Sequence, residues 1–403
     1  MTFEVTNAAP RNAVAAPAAP GTQPPDTRRL ARARMAARLQ FAALGVLGGA
    51  WGVHIPSVKA QYGLGEAMLS TVLLAAGTGA LLSLFAAGRI VGRLGARRAT
   101  VAAASVMGAT LALALVWPGL VLLLLSMLLF GAAMSLFDVA INTEGTALES
   151  LSGRTVMSNL HGMFSLGAMA GAALTGALLR AGVAPVLQLA AIGAAIVGSV
   201  VLAARAMLDA HPAPEAGEPQ AHFAWPKGLL LVIGLMIFAG MSAEGVMYDW
   251  SVLYLKQEVG MTQDAAAMGY AAFAGAMAGS RFAGDALRAR YPERWLLRGG
   301  AALAALSMAV VLWSGHPALS IVGYALIGAG LAPVVPILYN AATRVPGTSR
   351  AAAIAAVSSI GYAGFMTGPP LIGGIAQAVS LTAAMFVVVV AAGLLAIGAR
   401  KVG

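Results

Sequence analysis

Two acidic residues stand alone within long apolar stretches of this 403-residue chain. Asp138 follows a run, residues 99–137, that contains no Asp, Glu, Lys or Arg, and Glu244 lies in a second such stretch. An ionisable side chain placed in lipid costs a few kcal/mol to insert and is a functional hypothesis by default. A carboxyl group shielded from water can hold a proton near neutral pH. These two residues therefore predict the uptake and release of a proton, or the binding of a polar solute.

The surroundings of Asp138 are compatible with a proton site and with a structural hydrogen bond. Asn142 follows one helical turn later and shares its face. If the turn to the next helix is centred near residues 149–150, His161 lies opposite Asp138 at a similar depth. A carboxylate–imidazole pair is then possible, with His161 tuning the proton affinity of Asp138. The alternative is a hydrogen bond that only fastens two helices together.

Glu244 begins a polar stripe on its helix. Tyr248 and Ser251 follow at four and seven residues, which places all three on one face. Glu244 is the first choice for a proton-coupling or ligand-binding carboxylate, with a structural role as the alternative. Asp249 lies nearer the end of the helix and is expected to gate the site or to be hydrated. Trp250 is more typical of an interfacial aromatic belt than of a ligand-stacking platform.

Trp51 and His54 lie three residues apart on the first apolar segment. An aromatic ring next to a polar ring suits a hydroxylated solute, and a tryptophan that faces lipid is the alternative. Pro56 follows and is expected to end or kink this helix.

Two further prolines, Pro333 and Pro336, interrupt an apolar segment near the other end of the chain. Proline has no amide hydrogen, so it frees backbone carbonyls. In a membrane these carbonyls must be satisfied again or line a cavity. Asn340 follows on the same segment and is a candidate for a polar pathway.

The elements that must position these residues are membrane helices. Hydrophobic residues make up 59 % of the chain and charged residues 10 %, against about 25 % charged in soluble domains. A helix needs about 18 or more apolar residues to cross a bilayer, and the runs lack the alternation of barrel strands. The predicted fold is an all-α integral membrane protein. Its twelve expected spans are 38–58, 66–87, 98–116, 119–143, 156–179, 184–205, 228–255, 265–287, 295–314, 317–342, 350–376 and 379–399.

The basic residues sort these spans between two faces. If the N-terminus is cytoplasmic, only Lys59, Arg180 and Lys256 of the 25 Lys and Arg residues fall outside the cytoplasmic side. This positive-inside bias predicts that both termini are cytoplasmic, and it explains the net charge of +10 without a nucleic-acid partner. Residues 1–36 are rich in Ala and Pro with late arginines, and they are predicted to form a disordered cytoplasmic tail.

A polar stretch, residues 207–227, is predicted to be a cytoplasmic linker between two six-helix halves, 37–206 and 228–403. The halves carry a weak internal repeat, and its glycines also allow helices to pack closely. Parallel repeats of this kind place a binding site at mid-membrane and work by rocking one half against the other. At a constant spacing of 197, the matching glycines are Gly167, Gly171 and Gly176 with Gly364, Gly368 and Gly373.

The segment after the second span carries a recognisable motif. Gly88, Arg93, Gly95 and Arg97 match the pattern Gly-x-x-x-Asp-Arg-x-Gly-Arg-Arg, with Gly92 in place of the Asp. On this motif the chain resembles the major facilitator superfamily over nearly its whole length. More narrowly it resembles bacterial fucose-permease-type carriers. The stretches that carry the narrower resemblance are 137–142, 161–167, 243–250 and 364–374.

The resemblance implies that spans one, four, seven and ten line a central cavity, so the stripe at Glu244 is expected to face a substrate. It also implies an inward gate at the motif, where Asp285 of the second half is expected to supply the missing carboxylate. The expected substrate and proton pathway comprises Trp51, His54, Asp138, Asn142, His161, Glu244, Tyr248, Asp249 and Asn340. The expected gate residues are Gly88, Arg93, Gly95, Arg97 and Asp285.

The function that the resemblance implies is secondary active transport in a bacterial inner membrane, coupled to protons. The expected substrate is a small solute, sugar-like or otherwise polar or amphipathic. The alternatives are a proton-driven exporter of drugs or metabolites, and a receptor or enzyme on a carrier scaffold. The sequence has no cysteine, no His-x-x-x-His and no Walker loop, so neither an enzyme nor a metal or other cofactor is expected. The expected partners are the solute and the lipid bilayer, and the chain is expected to act as a monomer.

Overall fold

The computed structural model describes residues 27–209, 211 and 226–401, and most of this part of the chain is helical. Short connections join successive helices within each half, so sequence neighbours run antiparallel. A 3-10 turn over Ala399–Lys401 follows the last α-helix. The α-helices are α1 (Thr27–Gln61), α2 (Glu66–Leu94), α3 (Ala96–Leu113), α4 (Leu120–Ser152), α5 (Met157–Arg180), α6 (Pro185–Ala204), α7 (Leu229–Gln257), α8 (Gln263–Arg290), α9 (Glu293–Ser314), α10 (Pro317–Leu331), α11 (Val334–Ala342), α12 (Arg350–Ala378) and α13 (Leu381–Gly398).

Most of these helices are suited to a bilayer. Within the described residues, nine segments are long and apolar enough to cross a membrane, with α10 and α11 counted as one segment. That segment has 26 residues, and about 20 are needed to span the hydrocarbon core. The helices outside this set, α3, α8 and α12, are rich in Ala, Gly and small polar residues. The prediction of an all-helical, multi-pass membrane protein is confirmed.

The connections lie at two ends of the bundle. We call the end that carries Thr27, the α2–α3 turn and Lys401 the terminus face. The opposite end, which carries the α1–α2, α5–α6 and α7–α8 connections, is called the distal face.

The helix packing is repeated between the halves. In the first half α1 packs on α5, α2 on α4 and α3 on α6; in the second half α7 packs on α12, α8 on α10 and α9 on α13. This pairing matches the internal repeat seen in the sequence. Two main seams join the halves, one between α5 and α8 and one between α2 and α12. The repeat makes these seams equivalent, because α5 corresponds to α12 and α8 to α2.

Glycines allow paired helices to touch through their backbones. A Cβ atom on Gly167 of α5 would overlap the carbonyl oxygen of Ala42 on α1, and one on Gly364 of α12 would lie 2.5 Å from the carbonyl oxygen of Phe238 on α7. At Gly368 the nearest atom would be 4.0 Å away, an ordinary distance. A Cβ on Gly171 would overlap the carbonyl oxygen of Val46. The predicted close approach therefore holds at Gly167 and Gly171 in the first half and at Gly364 in the second.

Helix α1 begins earlier than the sequence suggested. Residues 27–36 are helical and do not belong to the predicted tail; residues 1–26 lie outside the described residues. Arg29 and Arg97 both pair with Asp209 beyond the end of α6. Ion pairs on the terminus face therefore stabilise the N-terminal extension of α1. A hydropathy pattern cannot predict these ion pairs.

The predicted linker is described only at its two ends, because residues 210 and 212–225 lie outside the described residues. At its start, the amide of Leu208 donates to Glu144 Oε1 (2.9 Å), and His211 Nε2 lies 2.6 Å from Glu144 Oε2. Glu144 is fully buried in α4. This carboxylate therefore anchors the start of the linker to the first half.

Candidate functional site

A charged network lies near mid-depth on the α5–α8 seam. Arg281 of α8 donates through Nη2 to Glu244 Oε1 of α7 (3.1 Å) and through Nη1 to Ser165 Oγ of α5 (2.7 Å). The side chains of Arg281 and Glu244 are each 13 % exposed. Because Ser165 belongs to the first half and Glu244 to the second, one guanidinium group joins the two halves.

The chemistry of this network is responsive to charge. A guanidinium–carboxylate bond is strong where water is scarce, and removing one partner leaves the other charge uncompensated. A polar or charged solute that competes for either group would therefore weaken this bond.

Close packing of α7 positions Glu244. Two residues before it, Ser242 Oγ donates to the carbonyl of Gly364 on α12 (3.0 Å). A Cβ on the following residue, Gly245, would lie 3.4 Å from the ring of Phe365. The small residues around Glu244 thus let α12 approach closely and fix the depth of the carboxylate.

An aromatic layer lies one turn further toward the distal face. The ring of Tyr248 lies 5.7 Å from Tyr270, 5.4 Å from Phe273 and 6.3 Å from Phe164, measured between centroids. Tyr270 also donates to the carbonyl of Gly48 on α1 (3.2 Å), which carries the layer across the two halves. Offset and edge-on ring pairs add to the burial of apolar surface. The layer therefore closes the site on its distal side.

The polar stripe of α7 ends at Tyr248. Ser251 is fully buried, and its carbonyl accepts a hydrogen bond from Tyr324 of α10 (3.3 Å). Trp250 is also fully buried, so it lies in the protein core and not in an interfacial belt. Asp249 is half-buried, and among the described residues no side chain is hydrogen-bonded to it.

Asp138 has the predicted partner on its own helix but not on the next one. Asn142 Nδ2 donates to Asp138 Oδ1 (3.0 Å). The ring of His161 instead packs edge-on against Phe41, with centroids 5.3 Å apart, and within the described residues no hydrogen bond joins His161 to Asp138. The reason is that α4 and α5 are neighbours in sequence but pack on α2 and α1, respectively. The expected carboxylate–imidazole pair is wrong.

Trp51 and His54 lie in the core of the first half, which corrects the expectation that they face a solute cavity. His54 is fully buried, with Nδ1 3.1 Å from Ser57 Oγ and Nε2 3.2 Å from Gln188 Oε1. Trp51 is buried against an aromatic ring of α4. Helix α1 continues beyond Pro56, so that proline does not end it.

Asn340 belongs to a cluster at the terminus face and not to a mid-depth pathway. Its Nδ2 donates to Glu293 Oε1 (2.8 Å), and Arg344 Nη1 lies 3.2 Å from Glu293 Oε2. The helix break predicted from Pro333 and Pro336 is present, because α10 ends just before them and α11 begins between them.

The motif residues form a tight turn on the terminus face. Helix α2 runs through Gly88 and Arg93, which are both exposed, and Gly95 with φ +80° makes the turn to α3. Arg97 is bonded to the carbonyl of residue 207 and to residue 209, both at the start of the predicted linker. The side chain of Asp285 lies outside the described residues. In the part that is described, these residues make no bond between the halves.

The halves are fastened at the distal face. On the α5–α8 seam, Arg180 Nε lies 3.0 Å from Asp264 Oδ2. The Thr262 hydroxyl and Arg180 together hold the pKa of Asp264 below its ordinary value of 3.8. On the α2–α12 seam, Ser70 Oγ donates to the carbonyl of Pro369 (2.9 Å).

The α2–α12 seam parts toward the terminus face. Among the described residues, no hydrogen bond joins α2 to α12 nearer the terminus face than that of Ser70. At mid-depth a Cβ on Gly77 would lie 3.8 Å from Met366 Cγ. Nearer the terminus face, Phe85 of α2 is 73 % exposed and Tyr362 of α12 is 41 % exposed. This seam is therefore hydrogen-bonded at the distal face, and it carries exposed rings nearer the terminus face.

The sequence did not single out Arg281 or Ser165. The positive-inside sorting counted Arg281 among the cytoplasmic cations, although it lies inside the predicted span 265–287. The available signal was a cation inside a span that contains no other Lys or Arg, in the same half as the carboxylate Glu244. Ser165 gave no signal, since serine is common on helices.

Comparison with known proteins identifies the family. A sequence profile described as Major Facilitator Superfamily matches residues 39–349 and 236–401. An uncharacterised MFS-type transporter of Yersinia pestis is 35 % identical over 355 residues, which cover 87 % of this chain and 91 % of that protein.

Solved structures share the fold. The fucose:proton symporter of E. coli superposes with a TM-score of 0.65 at 17 % identity, covering 92 % of this chain and 98 % of that one. A D-xylose–proton symporter superposes with a TM-score of 0.71 at 13 % identity, covering 91 % and 97 %. The resemblance read from the sequence motifs is confirmed at the level of the superfamily.

Proposed function

The chain belongs to the major facilitator superfamily of membrane transporters, and we propose that it carries a small solute by alternating access with coupling to protons. The observation that supports this most directly is the bond from Arg281 to both Glu244 and Ser165. A guanidinium group shared between the halves is placed where binding chemistry can alter their contact. Rocking of the halves about such a centre is the expected motion of parallel repeats.

Glu244 is the proposed proton-coupling residue. As a carboxylate it holds Arg281 in a neutral pair; as an acid it releases the guanidinium. A proton can therefore change the strength of the link between the halves without a large movement. Asp138, with Asn142 beside it, is proposed as a second polar group on the pathway.

The proposed orientation follows from charge. Twelve crossings with the terminus face in the cytoplasm place nearly all Lys and Arg residues inside, as the positive-inside rule requires. The arrangement described here, fastened at the distal face and parted between α2 and α12, would then be open to the cytoplasm. The proposed location is the bacterial inner membrane, with the proton gradient as the energy source and a monomer as the working unit.

The proposed substrate is a small polar or amphipathic solute, and sugars are the first class to test. Tyr248 and Tyr270 next to the charged network offer ring faces and a charged hydrogen-bonding pair, which suit a hydroxylated molecule. Two proteins of the same fold are symporters of fucose and xylose by name.

The test is uptake into proteoliposomes under an imposed proton gradient, with a panel of sugars, polyols and organic acids. We expect Glu244→Gln to lose gradient-driven accumulation while keeping solute exchange without a gradient. Glu258→Gln is the matched control, because Glu258 accepts a hydrogen bond from Thr382 at the distal face (2.6 Å). Undiminished accumulation in Glu244→Gln would refute the coupling role, and binding without flux would point to a receptor.

A proton-driven exporter of a cationic drug or metabolite is the second candidate. It is favoured by one observation: among the described residues, neither Asp138 nor Asp249 is paired with a cationic side chain. Everted vesicles separate the two candidates, since an exporter accumulates its solute in them when the lumen is acidified and a symporter does not.

A further inference from the structure

A groove separate from the aromatic layer opens on the second half near the terminus face. It encloses a cavity of about 300 Å³ between α8, α9 and the broken helix α10–α11, and Ser158 of α5 in the first half also lines it. At its rim Trp295 is 57 % exposed, and Leu287 and Leu303 are exposed as well. The walls are mainly apolar, and the groove reaches inward as far as Arg281. We infer that its mouth faces the bilayer, because the three exposed side chains at the rim are apolar.

The broken helix supplies hydrogen-bond acceptors to this groove. Pro333 and Pro336 have no amide hydrogen, so the carbonyls of Ala329 and Ala332 lack the donors that a regular helix would give them. Both alanines line the cavity. Free carbonyls at membrane depth must be satisfied by a neighbouring group or a ligand. A ligand with hydroxyl groups would meet that need.

The rim supplies positive charge. The stretch 281–298 contains five arginines against two carboxylates. One of the two, Glu293, is already bonded to Arg344 and Asn340. Arg288 lines the cavity, and the guanidinium of Arg294 lies 6.0 Å from the ring centroid of Trp295. A tryptophan with basic residues at the end of a span is typical of the headgroup region.

We propose that this groove binds an anionic phospholipid with a hydroxylated headgroup, such as phosphatidylglycerol, from the leaflet at the terminus face. The phosphate lies at Arg288, the headgroup hydroxyls donate to the carbonyls of Ala329 and Ala332, and an acyl chain lies along Leu303. The charge of the rim selects an anion, and the apolar walls open to the bilayer select a lipid over a dissolved solute. Since the groove ends at Arg281, an occupant adjoins the residue that links the halves.

The first experiment measures the thermal stability of the full chain in detergent with added phosphatidylglycerol, phosphatidic acid, phosphatidylcholine or free glycerol 3-phosphate. A ligand that binds only the folded state raises the apparent Tm. We expect phosphatidylglycerol to raise it most, phosphatidic acid less because it lacks headgroup hydroxyls, and phosphatidylcholine not at all. Equal shifts with phosphatidylcholine would overturn the proposal, and an equal shift with glycerol 3-phosphate would make this a solute site.

The second experiment fills the groove. Gly299 lines the cavity and Gly279 does not, and a Cβ on either would meet no atom within 4 Å. Gly299→Leu should therefore fold normally and abolish the phosphatidylglycerol shift, whereas Gly279→Leu on α8 should keep it. Arg288→Gln should weaken the binding of phosphatidylglycerol about tenfold, which is the loss expected for one charge-assisted hydrogen bond. Native mass spectrometry measures this binding.

An undiminished Tm shift with phosphatidylglycerol in Gly299→Leu would show that the lipid binds elsewhere. None of these three variants tests transport, so this result and that for Glu244→Gln are independent.

Discussion

The two seams between the halves are equivalent by the internal repeat but differ in structure. The α5–α8 seam is joined from end to end, by the Arg180–Asp264 pair at the distal face, by Arg281 at mid-depth, and by contact near the terminus face. There, a Cβ on Gly162 would lie 2.5 Å from the ring of Phe282. Among the described residues, the α2–α12 seam has its hydrogen bond at the distal face and a glycine contact at mid-depth, and its large rings nearer the terminus face are exposed.

This difference suggests a division of labour. A seam that stays closed along its length can act as the axis about which the halves turn. A seam that is closed at one end only is where a cleft opens and closes. The charged network lies on the first seam, so its bonds can change strength while the helices remain in contact. We therefore expect the two seams to respond differently to the same perturbation.

The largest expected effect is that of locking each seam with a disulfide. The chain has no cysteine, so an introduced pair of cysteines can form a disulfide without competing native thiols. Gly77→Cys with Met366→Cys crosslinks α2 to α12 and should stop uptake, with recovery on reduction. Met169→Cys with Gly275→Cys crosslinks α5 to α8, where a Cβ on Gly275 would lie 3.9 Å from Met169 Cβ, close to the usual disulfide spacing. This second crosslink should leave most of the uptake, and its complete loss would refute the division of labour.

The next effect concerns the charge at mid-depth on the α5–α8 seam. Arg281→Gln leaves Glu244 without its partner and should lower the free energy of unfolding by about 3–5 kcal/mol. The double variant with Glu244→Gln should recover much of that loss. Arg180→Gln on the same seam is the control, because Arg180 is 71 % exposed and an exposed pair contributes below about 1 kcal/mol. Denaturation in detergent measures all four proteins, and equal losses at the two arginines would contradict the assignment.

A smaller effect is expected from adding one methyl group at the distal end of the α2–α12 seam. A Cβ on Gly373 would overlap Ser70 Oγ, whereas a Cβ on Gly374 would meet nothing within 4 Å. Gly373→Ala should therefore disfavour distal closure by about 1–3 kcal/mol, and Gly374→Ala should not. A cysteine introduced at Gly65, at the same end, should react faster with a membrane-impermeant maleimide in the first variant only. Identical labelling rates would show that this contact does not hold the cleft shut.

The smallest expected effect is the pH dependence of the Arg180–Asp264 pair. The pKa of Asp264 is lowered by the Thr262 hydroxyl and by Arg180, so the pair stabilises the fold above the ordinary carboxyl pKa. This contribution is lost as the pH falls through the lowered pKa of Asp264. Compared with Asp264→Asn, the native chain should be more stable by less than about 1 kcal/mol at pH 7. The difference should vanish in acid, and a difference that grows on acidification would have the wrong sign.

Local features of the site followed from the sequence. Asn142 bonds to Asp138 because residues four apart share a helix face, and the helix breaks at Pro333 because proline lacks an amide hydrogen. Predictions of contacts between residues on different helices were less accurate. His161 lies opposite Asp138 only if consecutive helices pack together, whereas α4 and α5 each pack on another helix. His54 is likewise buried by a contact between helices that are distant in sequence, because its partner Gln188 lies on α6.

The sequence by itself determined that the chain is a helical membrane protein of two repeated halves, because hydropathy, charge bias and glycine spacing are properties of short segments. It also picked out Glu244, since a carboxylate in an apolar run is visible without any partner. Only the tertiary structure decided that Arg281 is that partner and that Ser165 joins it from the other half. The physical reason is that a helix sets which residues share its own face, whereas the partner of that face depends on the packing of distant segments.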